Sequence, residues 1–284
     1  MNDKRPSLGV VTIAYNEEED LPGFLDHLLL WIDEIIIIDD GSTDQSSAIA
    51  EGAGEKVRYI KSPRVEGEYY ADQRNKGIAL AKSDWLLHLD IDERVPSKLA
   101  IEIIEAISND NKKAYRYRRK NYFLHQAMKG GGWADWNLVH LAKREVLSFG
   151  GMFHESIHLT VSNDQVGQLN HAIWHINDQD YNERIRKSNG YLKEMSDRIV
   201  KENFKIRWFH LVWAPVREFL YKFFYKKGYK DKTLGVLWAL HAASAKFRAY
   251  ALVWDQQNGI ARSELEQQIK DDWQKADLST LKRK

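Results

Sequence analysis

Four short apolar runs, alternating with helix-compatible stretches, fill the first ninety residues and leave little freedom in how that part of the chain folds. The runs are Leu8–Ala14, Glu34–Ile38, Val57–Ile60 and Trp85–Leu89. Between them lie Glu17–Trp31, with acidic residues and Pro22 in an early turn, Thr43–Glu51, which follows a Gly41-Ser42 turn, and Glu68–Ala81. This order predicts an α/β domain on a mostly parallel, Rossmann-like sheet with crossover helices. In open parallel sheets ligands bind at the carboxyl ends of the strands, so the polar residues just after each run are where chemistry is expected.

Further along, aromatic and basic residues alternate from Tyr115 to Phe123, Gly130-Gly131-Gly132 gives a turn, and strand-like pieces continue to about His175. After Asn177 the composition shifts to helical stretches rich in Arg, Lys and aromatic residues: Tyr181–Phe204, Trp208–Lys227 and Lys232–Trp254. A polar tail, Ser263–Lys284, closes the chain. The boundary falls at 177, with a division of the first part at 113. A formal charge of +1 does not suggest polyanion binding, so no nucleic-acid partner is expected. With no cysteine there is no disulfide, thiolate metal site or cysteine nucleophile, which is compatible with a reducing cytoplasm. The start, MNDKRPSLGVV, reads as neither a signal peptide nor a span, and no stretch reaches the roughly 18 apolar residues a spanning helix needs.

The sharpest motif is Leu89-Asp90-Ile91-Asp92-Glu93, at the end of the fourth run. On an extended chain, carboxylates two apart point to one side, so Asp90 and Asp92 can converge on a hard cation such as Mg²⁺ or Mn²⁺. In isolation the commoner reading is a solvated acidic loop ahead of the helix after Pro96. Asp39-Asp40-Gly41-Ser42-Thr43-Asp44 follows the second run, where an Asp can accept bonds from a base imide or a ribose; Ser42, Thr43 or Asp44 can equally cap the next helix. Ala14-Tyr15-Asn16-Glu17 ends the first run and reads either as a nucleobase contact or as simple helix initiation. Arg74 and Asn75 lie ahead of the fourth run, where Arg74 can pair with a diphosphate or be an ordinary surface residue. Four polar clusters at successive strand ends point to one ligand position.

The segments VVTIAYNEEEDLP, IIIIDDGSTD, ADQRNKGIALAKSDWLLHLDIDE, GGMFHESIHL and HAIWHI resemble glycosyltransferase family 2, the inverting nucleotide-sugar transferases of GT-A fold. The resemblance covers roughly the first 175 residues and is strongest to the branch with lipopolysaccharide core transferases. It implies that residues 1–113 bind a nucleotide-sugar, 114–177 face the acceptor, and 178–284 form a helical extension. It places Asp40 on the base with Asp39 in support, Asp90 on ribose or metal, and Asp92 on the metal. It also implies one in-line displacement with inversion, a carboxylate base, and a diphosphate leaving with its charge held by a divalent cation and Arg74. Glu155 is the candidate base, the rival reading being a salt bridge that orders its loop. His175 is a candidate metal ligand or diphosphate contact, and His154 is expected to shape the site. The commonest donor in the family is a UDP-sugar, which makes a hexosyl transfer to a glycan or lipid-linked acceptor, in cell-envelope synthesis, the expected reaction.

A dinucleotide oxidoreductase needs a Gly-rich turn where this chain has Ala14-Tyr15-Asn16-Glu17-Glu18, and a phosphate-loop NTPase needs a Gly-Lys-Ser/Thr turn; neither is present. A sugar nucleotidyltransferase and a non-catalytic, membrane-associated nucleotide-binding protein remain as alternatives. The basic, aromatic stretch Trp208–Lys230 suits either a membrane surface, on the inner face of the plasma membrane, or packing against neighbouring helices.

Overall fold

The computed structural model describes residues 5–109, 111–134, 136–151 and 156–276. The chain divides into two compact units, Met1–Tyr181 and Asn182–Lys284. The first opens with β1 (Leu8–Ala14), α1 (Leu21–Leu28), β2 (Glu34–Asp39), α2 (Ser46–Gly52), β3 (Val57–Lys61), α3 (Tyr70–Leu80) and β4 (Trp85–His88). These strands are parallel in the order β3-β2-β1-β4, as the four apolar runs predict. Both faces of this part of the sheet are covered, which explains four consecutive isoleucines in β2. Ile35 and Ile37 join Leu8, Val10, Leu87 and the α1 residues Phe24 and Leu25 in one core. Ile36 and Ile38 join Val11 and Leu86 in another, against Ile78 of α3.

The unit continues with β5 (Glu93–Arg94), α4 (Ser97–Ser108), β6 (Ala114–Phe123), β7 (Gln126–Ala127), β8 (Asn137–Lys143), β9 (Leu147–Gly150), β10 (Ser156–Leu159) and β11 (Val166–Ile176). The sheet extends as β4-β8-β6-β11-β5, with β8 antiparallel to β4 and β6, and β11 parallel to β6 but antiparallel to β5. The hairpin strand β7 pairs with β6, and β9 and β10 form a separate antiparallel ribbon. At the glycine run, Gly131 and Gly132 take φ of 68° and 91°, a left-handed turn that glycine enters without a steric penalty.

Three expectations are revised. The helix in Glu17–Trp31 is confined to α1, because Glu17–Asp20 forms a turn in which the Leu21 N–H bonds the Glu17 carbonyl at 2.9 Å. The polar tail contains a fully exposed helix, Arg262–Lys275. The acidic motif is not extended: the chain leaves β4 within the sheet and must re-enter at the edge strand β5. It therefore turns, with the Glu93 N–H on the Asp90 carbonyl at 2.9 Å. The two-residue alternation that would aim Asp90 and Asp92 at one point does not apply there.

The second unit consists of α5 (Tyr181–Gly190), α6 (Leu192–Lys201), α7 (Trp208–Leu220), α8 (Lys232–Asn258) and α9 (Arg262–Lys275). Ile199, Ile206, Ala214, Ala249, Tyr250 and Val253 form its core. Among the described residues, no helix is long and apolar enough to cross a membrane.

Contact between α3 and β1 is the tightest constraint on the parallel part of the sheet. A Cβ at Gly77 would lie 2.3 Å from Cγ1 of Val11, so the helix can approach this strand only with glycine there. Gly77→Val is expected to lower stability by roughly 1–3 kcal/mol through overpacking, read as a lower urea midpoint with an unchanged slope.

Candidate active site

The loops after β1 and β2 are bound to each other. Asn16 sits at φ 56°, a conformation asparagine tolerates, and its Oδ1 accepts the Thr43 N–H at 2.8 Å. Its own N–H bonds Ser42 Oγ at 2.9 Å, and the Glu17 N–H bonds Ser46 Oγ at 2.8 Å. The Ala14 carbonyl accepts the Asp40 N–H at 2.9 Å, while the Tyr15 side chain stands largely exposed. Buried Asp39 accepts the N–H groups of Gly41 and Ser42 at 3.2 and 3.1 Å and also the Ser42 hydroxyl, so it fixes the turn from beneath. Asp40 is held by a residue that sequence reasoning missed: Arg64 donates its backbone N–H at 2.8 Å and its Nε at 2.7 Å. The Arg64 guanidinium also lies 4.0 Å from the centre of the Tyr70 ring.

A second cluster surrounds the acidic turn. Arg74 Nη2 donates to Asp90 Oδ1 at 2.7 Å, and Arg119 Nη2 reaches Asp90 Oδ2 at 3.4 Å. Arg119 also makes an ion pair of 2.6 Å with Glu93, whose Oε2 accepts the Asp90 N–H at 3.0 Å. Burial pushes the Asp90 carboxyl upward, but Arg74 and Arg119 outweigh it and hold it well below the usual carboxylate range. For Glu93, fully buried, burial wins over Arg119 and pushes the carboxyl up to about 7. Beneath the cluster, burial and the charge of Arg74 keep the His88 imidazole well below its ordinary value, and burial takes His140 down to about 3; both are neutral.

Asp92 points elsewhere. Its Oδ2 lies 3.2 Å from His175 Nε2, while its Oδ1 is buried with no hydrogen-bond partner. His175 is brought there by β11, where it stands opposite both Asn121 of β6 and Glu93 of β5. Asn121 Nδ2 donates to the Trp133 carbonyl at 2.5 Å, which leaves Asn121 Oδ1 to accept from His175 Nδ1 at 2.8 Å. With Nδ1 donating to Asn121, Nε2 faces the Asp92 carboxylate.

Strand β6 supports this cluster from one face, reaching His88, Asp90, Glu93 and His175. Successive inward positions are Tyr117, whose hydroxyl donates to the His88 carbonyl at 3.3 Å, then Arg119, then Asn121. The alternating Tyr115–Phe123 segment held that signal, but its parity depends on the register shift against β8 between Tyr115 and Arg116, which the sequence does not mark. Asn75, read from the sequence as a ligand contact, has another occupation: both ends of its amide bond the backbone of Phe149, at 2.8 and 2.9 Å, and tie α3 to β9. Glu155 and His154 lie outside the described residues. A cavity of about 590 Å³ opens beside Arg74, Asp90 and Arg119 and is walled by Trp136 and Phe149.

Residues 9–160, more than half of the chain, match the model of Glycosyl transferase family 2. The chain belongs to that family. It is a glycosyltransferase, and its mixed α/β first unit is the GT-A nucleotide-binding fold that its sequence predicts. An uncharacterized glycosyltransferase of Rickettsia felis is 27% identical over 266 residues, covering 89% of this chain and 92% of that protein. A lipopolysaccharide core biosynthesis glycosyltransferase of Rhizobium meliloti is 25% identical over 265 residues, covering 86% and 93%. Glucosyl-3-phosphoglycerate synthase of Mycobacterium tuberculosis, solved with Mn²⁺ and UDP, aligns at 16% identity over 61% of this chain and 73% of that one, with a TM-score of 0.44.

Arg119 is the residue on which the charge balance turns. Arg119→Met leaves Glu93 buried beside Asp90 without its counter-charge, and a loss on the order of 3 kcal/mol in unfolding free energy is expected. Asn121→Leu removes both the acceptor that fixes the His175 ring and the donor to the Trp133 carbonyl, and the buried groups left unpaired are expected to lower the unfolding free energy by roughly 1–3 kcal/mol, read by urea denaturation.

Proposed function

We propose that the family's transferase activity here is an inverting transfer of a sugar from a nucleoside-diphosphate donor, with a divalent cation, to a hydroxyl of a cell-envelope glycan or glycolipid. The observation that carries this reading is the pairing of Asp92 and His175. Asp92 Oδ2 lies 3.2 Å from Nε2 of His175, whose ring is set by Asn121, and Oδ1 of the same carboxylate is buried with no hydrogen-bond partner. Oxygen and imidazole donors suit Mn²⁺, and oxygen donors suit Mg²⁺. No group of three or more acidic, His or Cys side chains that could hold a metal occurs among the described residues. A cation held by two protein ligands would complete its shell with diphosphate oxygens and water, the usual arrangement for these ions. When bound, it would supply neutralisation of the departing diphosphate.

Asp90 is less suited to that role than its neighbour, because Arg74 and Arg119 already engage both of its oxygens. In this reading it orders the two guanidiniums, which in turn stabilise the charge developing on the leaving diphosphate. Asp40 recognises the base, and for this its bond to Arg64 must open or be shared. The loops at Ala14–Glu17 and Asp39–Asp44 then shape the base and ribose subsite, with UDP the expected nucleotide. The acceptor enters through the cavity walled by Trp136 and Phe149, where flat apolar surfaces suit a sugar ring. Glu155 is the proposed base: it takes the acceptor hydroxyl proton as oxygen attacks the anomeric carbon and the bond to diphosphate breaks. A cell-envelope acceptor is supported by the name of the Rhizobium relative.

Calorimetric titration with UDP, GDP and CDP, with and without Mn²⁺, tests the site. One diphosphate is expected to bind only with the metal, and Asp92→Ala and His175→Ala are each expected to abolish that dependence. Binding of equal strength with and without metal would remove the Asp92–His175 assignment. Glu155→Gln is expected to keep metal-dependent diphosphate binding while lowering kcat by about 10²- to 10⁴-fold.

A further inference from the structure

On a helix packed against a globular core, the apolar stripe faces inward. On α7 a second stripe faces solvent. Trp208, Val212, Val216, Leu220 and Phe224 recur every four residues along α7 and into the π-helical turn Tyr221–Tyr225 that continues it, and all five are exposed. Trp213 and Tyr225 flank this row and are 61% and 74% exposed, while the buried side of α7 is carried by the small Ala214. Such a run spans roughly 25 Å at the rise of an α-helix. Side chains of this size are seldom left in water in a continuous row unless something binds them.

Charge decides what that partner is. Between Lys205 and Lys232 there are eight Lys or Arg residues and two acidic ones, in a chain whose overall formal charge is +1. Arg207, Arg217, Lys227, Lys230 and Lys232 are exposed around the stripe, and Glu218 is within 4.0 Å of Lys222. A symmetric pair of copies would set this patch against itself and bring two strongly basic segments together. An anionic bilayer instead offers a headgroup layer for the bases and an acyl boundary for the rings, with Trp and Tyr at the level between. We propose that this face of α7, with the turn after it, docks onto an anionic lipid surface, lying in the interface without crossing it.

Because the chain has no cysteine, a single reporter can be placed cleanly. Trp213→Cys and, as a control in the first unit, Glu55→Cys would be labelled with an environment-sensitive fluorophore and mixed with phosphatidylcholine vesicles with or without 30 mol% phosphatidylglycerol. The label at 213 is expected to brighten and shift to the blue with the anionic vesicles only, and the label at 55 to stay unchanged. In co-sedimentation, replacing Arg217, Lys227 and Lys230 together with Gln is expected to lower partitioning on the order of 100-fold, about fivefold per charge. Raising NaCl to 0.5 M is expected to weaken it too. Trp208→Ser with Trp213→Ser is expected to release the protein from the same vesicles, with circular dichroism confirming that each variant is folded. Binding that is equal on neutral vesicles, no binding at all, or a lipid-free dimer that shields the 213 label would each overturn the proposal.

Discussion

Arg74, Arg119 and Glu93 are charged side chains taken largely out of water around the part-exposed Asp90 at the end of β4, and the geometry of the site follows from the need to pair them. A buried charge is tolerated only when it is paired and hydrogen-bonded. Asp90 and Glu93 are like charges joined through one turn, and Arg119 bridges them while Arg74 takes the remaining oxygen of Asp90. The bridge requires β6 to lie within reach of the turn, so the order β4-β8-β6-β11-β5 is part of the electrostatics. Once Asp90 is consumed in this way, Asp92 is turned toward His175 with a free oxygen. The division of labour between two aspartates of one motif is thus set by which of them the arginines can reach.

The strands of the first half were legible because their burial leaves a direct trace in composition: unbroken apolar runs such as Ile35–Ile38 mark a sheet covered on both sides. That the runs Asp39–Asp44 and Ala14–Glu17 make turns ahead of helices was legible as one of two readings of each, but the side chains that fix those turns, Asp39 and Asn16, were not singled out for it. The supporting residues Arg64, Arg119 and Asn121 were not legible. Each sits 24 or more residues from its partner in sequence, as Arg64 does from Asp40 and Asn121 from His175, and pairs only through sheet order and strand register. The turn at Asp90–Asp92 was misread for a related reason: whether a chain stays extended after a strand depends on where the next strand lies in the sheet. Asn75 shows the opposite failure, since a polar residue beside a ligand site was occupied in pinning β9 to α3.

The second unit carries a different kind of information. Its core is modest, built from Ile199, Ile206, Ala214, Ala249, Tyr250 and Val253, while Trp208 and Trp213 of α7 face outward among basic groups. The sequence left packing and membrane contact as equal readings of that stretch. The row Trp208, Val212, Val216, Leu220 and Phe224 is exposed, so these side chains do not pack against the neighbouring helices.

Sugar transfer from the nucleotide donor is expected to depend on a cation held by Asp92 and His175. The most direct measurement is ³¹P NMR of the wild-type protein and Asp92→Asn, each incubated with UDP-, GDP- and CDP-sugars and Mn²⁺, following release of free nucleoside diphosphate. The account predicts that one donor is consumed by the wild type, that removing Mn²⁺ with chelator stops it, and that Asp92→Asn leaves the donor intact. Donor consumed equally by Asp92→Asn, or unaffected by chelation, would contradict it.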